Sequence, residues 1–133
     1  MRIIASILVG GAMPMDLGFM LRFLYQPVGL IVMPKLYEYF GLIVMFYANE
    51  HDPVHVHGKC QGRESRAELF VVNGLVTTIR YSGVIGRLPL ETNEMRYFEE
   101  VVGARADDIV AKWIDFFVLH KPVKSERITR RLK

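Results

Sequence analysis

The dipeptide Asn73-Gly74 constrains this chain more than any other two residues. It separates SRAELFVV (65–72) from LVTTIRY (75–81), two runs rich in β-branched and aromatic residues. A two-residue link between antiparallel strands favours the type I′ turn, which needs positive φ at both central positions, and Asn-Gly supplies that at little cost. Residues 65–81 are therefore predicted to form a β-hairpin. Once one hairpin is fixed, its apolar face must be covered, and the flanking sequence has to supply both further strands and a cover.

Upstream, GLIVMFYA (41–48) is a continuous apolar run of strand length, the signature of a central strand covered on both faces. Past the polar NEHDP, the segment VHVHGKC (54–60) alternates. Val54, Val56, Gly58 and Cys60 take one side, and His55, His57 and Lys59 the other. QGRES makes the next turn, so four consecutive strands read as an antiparallel meander. SGVIGRLPL, with two glycines and a proline, is a loop or a short edge strand.

Two helices supply the cover. ETNEMRYFEEVV (91–102) carries Met95, Phe98, Val101 and Val102 at helical spacing. ARADDIVAKWIDFFVLH (104–120) places Ala106, Ile109, Val110, Trp113, Ile114 and Phe117 on one stripe, opposite Asp107, Asp108, Lys112 and Asp115. Pro122 is expected to end this helix, with His120 in its last turn, where a cation suits the helix dipole. The resulting fold class is α+β, two layers, a four-stranded antiparallel meander packed against C-terminal helices.

At 133 residues, with 51% hydrophobic and 23% charged residues, the chain is the size of one globular domain and is neither disordered nor collagenous in composition. Its single cysteine, Cys60, cannot form an internal disulfide and reads as a small strand residue without a chemical role. The net charge of +3 conceals an asymmetry: in KPVKSERITRRLK (121–133) six basic residues face one acid, and the rest of the chain sums to −2. Clustered cations of this kind, Arg127, Arg130 and Arg131 among them, suit phosphate or an acidic partner, so nucleic acid is a partner candidate for this basic tail.

Residues 1–32 are almost wholly apolar, with Arg2, Asp16 and Arg22 as their only charges. A signal peptide fits poorly, since no small-residue cleavage site comes after the apolar start. Pro14, Asp16, Arg22 and Pro27 cut the stretch into pieces shorter than the roughly 20 residues of a membrane span. MDLGFMLRFLY can form a short helix, and Met33-Pro34 makes a natural start for the remainder of the chain. The expectation is an N-terminal extension over 1–32 outside the folded unit, a single α+β domain over 33–133, no membrane partner, and a cytoplasmic location.

Three of the four histidines lie in NEHDPVHVHGK (49–59). On a strand, His55 and His57 share a face about 7 Å apart, from roughly 3.4 Å of rise per residue. A divalent metal such as zinc could be taken by His51, His55 and His57, with Glu50 or Asp52 completing the shell. Alternatively, His55 and His57 could exchange protons while Lys59, with Arg63 or Arg66, holds phosphate charge, the parts of a metal-independent ribonuclease. The third reading is a polar strand face turned to solvent or a partner, with Asp52-Pro53 only turning the chain.

MPKLYEYFGLIVMFYANEHDPVHVHGK, a strand ending VVNG, GRLPL and a helix with KWIDFFVLHK together resemble the bacterial domain-of-unknown-function family 4160, over residues 33–133. The family's motif is similar to Asp-His-x-Pro-Pro-His-x-His, which here has Glu50 for the first Asp and Val54 for the second Pro. The resemblance implies Glu50, His51, Pro53, His55 and His57 as signature positions and no established reaction; it links such proteins to toxin–antitoxin gene pairs. The sequence therefore supports a binding or regulatory module, a component of such a pair with a partner encoded nearby, whose contact residues are Glu50, His51, Asp52, Pro53, His55, His57, Arg127, Arg130 and Arg131. The alternative is a histidine-based or metal-dependent hydrolase of RNA or a small phosphate ester, with His55, His57 and Lys59 as catalytic candidates.

Overall fold

The computed structural model describes residues 34–48 and 53–132. Strands β1 (Lys35–Tyr39), β2 (Leu42–Met45), β3 (His55–Cys60), β4 (Arg63–Val72) and β5 (Leu75–Gly83) precede helices α1 (Thr92–Ala104) and α2 (Ala106–Trp113). Helix α2 runs into a π-helical turn over Ile114–Val118, and a short strand, β6 (Glu126–Ile128), comes last. The α+β class holds, but the four-stranded meander is corrected to a six-stranded mixed sheet in the order β5-β4-β3-β2-β1-β6. β1 to β5 pair antiparallel in succession, and β6 joins β1 in parallel.

Turn chemistry explains the meander. Phe40-Gly41, Gln61-Gly62 and Asn73-Gly74 link successive strands, and each dipeptide has both residues at positive φ, at 49° and 87°, 50° and 81°, and 53° and 81°. The predicted hairpin closes as Val72↔Leu75. The same two-residue geometry joins Cys60↔Arg63 and Tyr39↔Leu42. In every case glycine takes the second position, where a side chain is most strained.

One face of the sheet carries Tyr37, Tyr39, Leu42, Val44, Val56 and Ala67, all fully buried, against Phe98, Val101, Val102, Ile109 and Phe116 of the helical layer. Tyr39 donates to Glu100 of α1 at 2.6 Å, and Tyr37 hydrogen-bonds Asp108 of α2, so two strand phenols tie the layers with polar contacts at the edge of the apolar core. Burial pushes the Asp108 carboxyl up, but hydrogen bonds from Lys112 and Tyr37 and the charges of Lys112 and Arg105 outweigh it and hold the group below the ordinary carboxylate range. The phenol of Tyr37 moves up, by burial first and then by its bond to Asp108.

α1 begins at Glu91, whose N–H donates to the Glu94 carboxylate at 2.9 Å, a capping-box contact. The single long helix expected over 104–120 is instead α2 plus the π turn. Leu119 N–H reaches back to the Ile114 carbonyl at 3.0 Å and Lys121 N–H to the Asp115 carbonyl at 2.8 Å, around His120 at φ +56°. His120 thus lies beyond the last turn, in the left-handed position that closes a helix C-terminus, and the helix stops before Pro122 acts on it.

Candidate functional site

The second face of the sheet, away from the helices, carries the candidate site. Because side chains alternate along a strand, His55, His57 and Lys59 share this face, as the alternation of VHVHGKC predicts. Strand register places Glu68, Arg66 and Glu64 of β4 directly opposite them, and Met45 and Ile43 of β2 opposite His57 and Lys59 on the other side. The two imidazoles lie 5.2 Å apart, centroid to centroid, in an edge-to-face arrangement. They are not solvated: His55 is 4% exposed and His57 3%.

The centre of the cluster is Glu64, a carboxylate only 2% exposed. His57 Nδ1 lies 2.8 Å from Glu64 Oε2, and the Tyr47 hydroxyl donates to the same oxygen at 3.0 Å. Arg87 Nε stands 3.4 Å from Oε1 as an ion pair without hydrogen-bond geometry. The Tyr47 ring packs edge-on against His57 at 4.5 Å, and Lys59 Nζ lies 5.7 Å from the centre of that ring. A buried carboxylate is tolerated when it is paired and hydrogen-bonded; Oε2 meets that condition, while Oε1 has the Arg87 charge beside it but no hydrogen bond.

The contacts fix the histidine tautomers. His55 Nδ1 is 2.6 Å from the Pro53 carbonyl, which can only accept, so Nδ1 carries the proton. Glu64 already accepts from Tyr47 and faces Arg87, so His57 Nδ1 is likewise the donor. Whenever a ring held in this way is neutral, its lone pair falls on Nε2. An imidazole whose Nδ1–H is held by a carbonyl or a carboxylate is the arrangement found in metal ligands and in general bases.

Of the residues singled out from sequence, Pro53, His55, His57 and Lys59 come together. Glu50, His51 and Asp52 lie outside the described residues, and so does the expectation for residues 1–32. Among the described residues, no group of three or more His, Cys, Asp or Glu side chains is placed to hold a metal ion. Arg63 turns away to the Pro89 carbonyl at 3.1 Å and to Glu91 at 3.3 Å, whereas Arg66 faces His57 across β3 and β4. Cys60 lies on the helix side, its thiol pushed up by burial first and then by Glu94, which keeps it protonated.

Glu64, Tyr47 and Arg87 belong to this histidine cluster and are not among the candidates read from the sequence. The signal for Glu64 was present in QGRES: reading Gln61-Gly62 as a two-residue turn sets Lys59 opposite Glu64 and puts the acid on the histidine face. Tyr47 sits inside an apolar run and Arg87 inside an irregular loop, so neither was marked by periodicity.

The basic C-terminal segment forms a separate surface. Arg127 pairs with Glu38 at 3.0 Å, and Arg131 forms a two-pronged contact with Glu100 whose shorter arm is 2.6 Å. Arg130 is exposed. Hydrogen bonding to Lys35 lowers Glu38 most; burial, the next effect, raises it, and the Arg127 and Lys35 charges help to keep it below its ordinary value. What reads as a tail is therefore part of the sheet edge, held by β6 and by ion pairs.

No described helix is long and apolar enough to cross a membrane. In comparison with known proteins, residues 41–114 match the family described as Domain of unknown function (DUF4160). No curated protein and no solved structure matches the chain.

Proposed function

The chain belongs to the DUF4160 family, and on that premise we propose that it is a binding and regulatory module, one component of a toxin–antitoxin-like pair, that contacts nucleic acid through its cationic sheet edge and a protein partner encoded nearby. The observation that carries this reading is the folding of the basic segment onto the sheet. Arg127, with its side chain 75% exposed, and Arg130 are presented by an ordered strand and the residues after it, which fixes their spacing for phosphate. Titration of the full chain with labelled RNA and DNA oligonucleotides tests it. Affinity should fall steeply between 50 mM and 200 mM salt, and Arg127→Ala/Arg130→Ala should flatten the slope by about two phosphate contacts. Absence of binding at low salt would refute the nucleic-acid contact, and failure to co-purify with the product of the adjacent gene would refute the pair.

A second reading, a histidine-based or metal-dependent hydrolase of RNA or a phosphate ester, is favoured by the shared Nδ1-protonated tautomer of His55 and His57 and by the carboxylate behind His57. Zinc, nickel or iron retained stoichiometrically by the full chain, and lost together with phosphodiesterase activity in His55→Gln/His57→Gln, would support it. Equal activity in wild type and double variant would eliminate it.

A further inference from the structure

The three hairpin turns of this protein have the same backbone but not the same chemistry. Gln61 and Asn73 are polar residues at the left-handed first position, the latter being the side chain best suited to it. Phe40 occupies the equivalent position in the β1–β2 turn, at φ +49°, where a bulky ring is disfavoured, and the residue is 49% exposed. Neither backbone preference nor burial accounts for a phenylalanine there. Positions that break a local rule in this way are where functional contacts concentrate.

The surroundings of Phe40 say what it faces. Its ring stands 4.8 Å from Tyr39 and 5.8 Å from Tyr97, tilted at 52° and 44°, and the Arg131 guanidinium lies 5.0 Å over Tyr97, so Phe40 is the half-exposed member of a tilted aromatic cluster. Beside it is a cleft of about 340 Å³ lined by Glu38, Phe40, Gly41, Arg127, Ile128 and Thr129. That volume is at the lower end of the roughly 300–1,000 Å³ of small-ligand sites. Glu38 is the one acid of the lining, and its charge is answered by both Lys35 and Arg127. Arg127, although paired with Glu38, has its side chain 75% exposed, and exposed Arg130 follows Thr129 in the chain.

We propose that this cleft is a base-stacking site for single-stranded nucleic acid, with Phe40 as the platform and Arg127 and Arg130 as the phosphate contacts. The inference rests on the nucleic-acid reading above and narrows it. A half-exposed ring that shares a cleft with a largely exposed arginine matches the pairing of aromatic faces with a charged backbone groove that single strands use. A duplex offers no free base face to the ring, and an acidic peptide offers charge without one.

The test is fluorescence anisotropy of the full chain with labelled single-stranded RNA and DNA dodecamers, the matching duplexes and a poly-glutamate peptide, each at low salt. Phe40→Asn places the preferred residue in the turn, so its melting temperature should hold or rise while single-strand affinity drops roughly tenfold. Phe40→Trp should retain the affinity, and duplex binding should be unaffected by either change. Single-strand binding that is equal in wild type and Phe40→Asn would overturn the stacking site while leaving the cationic contact intact. Preference for duplex or for poly-glutamate would overturn the assignment of ligand, and absence of any nucleic-acid binding would overturn both readings.

Discussion

Gly58 sits in the middle of β3 on the helix-facing side, and the ring of Phe98 in α1 occupies the space a side chain would need. A Cβ placed there would lie 2.7, 2.8 and 2.9 Å from Cδ1, Cε1 and Cγ of Phe98, whereas ordinary contact begins at 3.4 Å. Relief requires the ring to retreat by at least half an ångström. Phe98 is fully buried, and Tyr81 packs edge-on against it at 5.7 Å, so the ring has no free direction. Overpacking of this kind costs about 1–3 kcal/mol. Without it, glycine to alanine at a compatible backbone site stabilises by roughly 0.4–1 kcal/mol. Gly58→Ala is therefore predicted to lower stability by about 2 kcal/mol, roughly 6–12 °C in Tm for a chain of this length. Gly103, in α1, has nothing within 4 Å of the position a Cβ would take and is the control: Gly103→Ala should raise stability by up to about 1 kcal/mol. Urea melts of both variants decide the matter, with Gly58→Ala/Phe98→Leu expected to recover part of the loss through non-additivity. If Gly58→Ala were as stable as Gly103→Ala, the close approach of helix and strand would be wrong.

The polar groups lead to two further outcomes. His57→Ala removes one of the partners of buried Glu64 and should cost about 2 kcal/mol, while Tyr47→Phe should cost about 1 kcal/mol. Because both converge on Oε2, a double-mutant cycle in urea should show coupling, and strict additivity would deny the shared carboxylate. Glu100 is lowered by hydrogen bonds from Arg131 and then Tyr39, and Asp108 is lowered by its bonds to Lys112 and Tyr37, from ordinary values of 4.5 and 3.8. Their stabilisation is complete above those values and is lost as pH falls through the lower folded ones, so Tm should drop below about pH 4. Glu100→Gln/Asp108→Asn should flatten that limb, and an unchanged acid limb would contradict these contacts.

The legible parts of the fold were those written in local chemistry. Asn73-Gly74 gave its hairpin because only that dipeptide advertises the left-handed turn. The stripe of α2 led to the helical layer through Ile109, fully buried, with Ala106, Val110, Trp113 and Phe117 packed partly against the core, whereas Ile114 falls in the π-helical turn and is 41% exposed. β1 was missed because Phe40-Gly41 forms the same turn with a residue that normally avoids it, and β6 because three residues among six cations carry no apolar alternation. Parallel pairing of β6 with β1 depends on contacts about 90 residues apart in the chain, such as Leu132 N–H to the Tyr39 hydroxyl at 2.7 Å, which no local pattern encodes. At the site, alternation placed His55 and His57 on one face, but not their burial, which depends on packing around them rather than on the strand's own period.

Strand register also bears on whether the two charged regions can act together. Glu64, Lys59, Ile43, Glu38 and Arg127 are successive partners across β4, β3, β2, β1 and β6, and alternation puts them in one row on the face away from the helices. Three strand spacings separate Lys59 from Arg127, about 14 Å at roughly 4.8 Å per strand. A small phosphate ester cannot touch both Lys59 and Arg127, whereas an extended oligonucleotide lying across the strands can. Chemistry confined to His55, His57 and Glu64 must therefore be indifferent to Arg127, and a ligand whose affinity depends on both regions at once has to be polymeric.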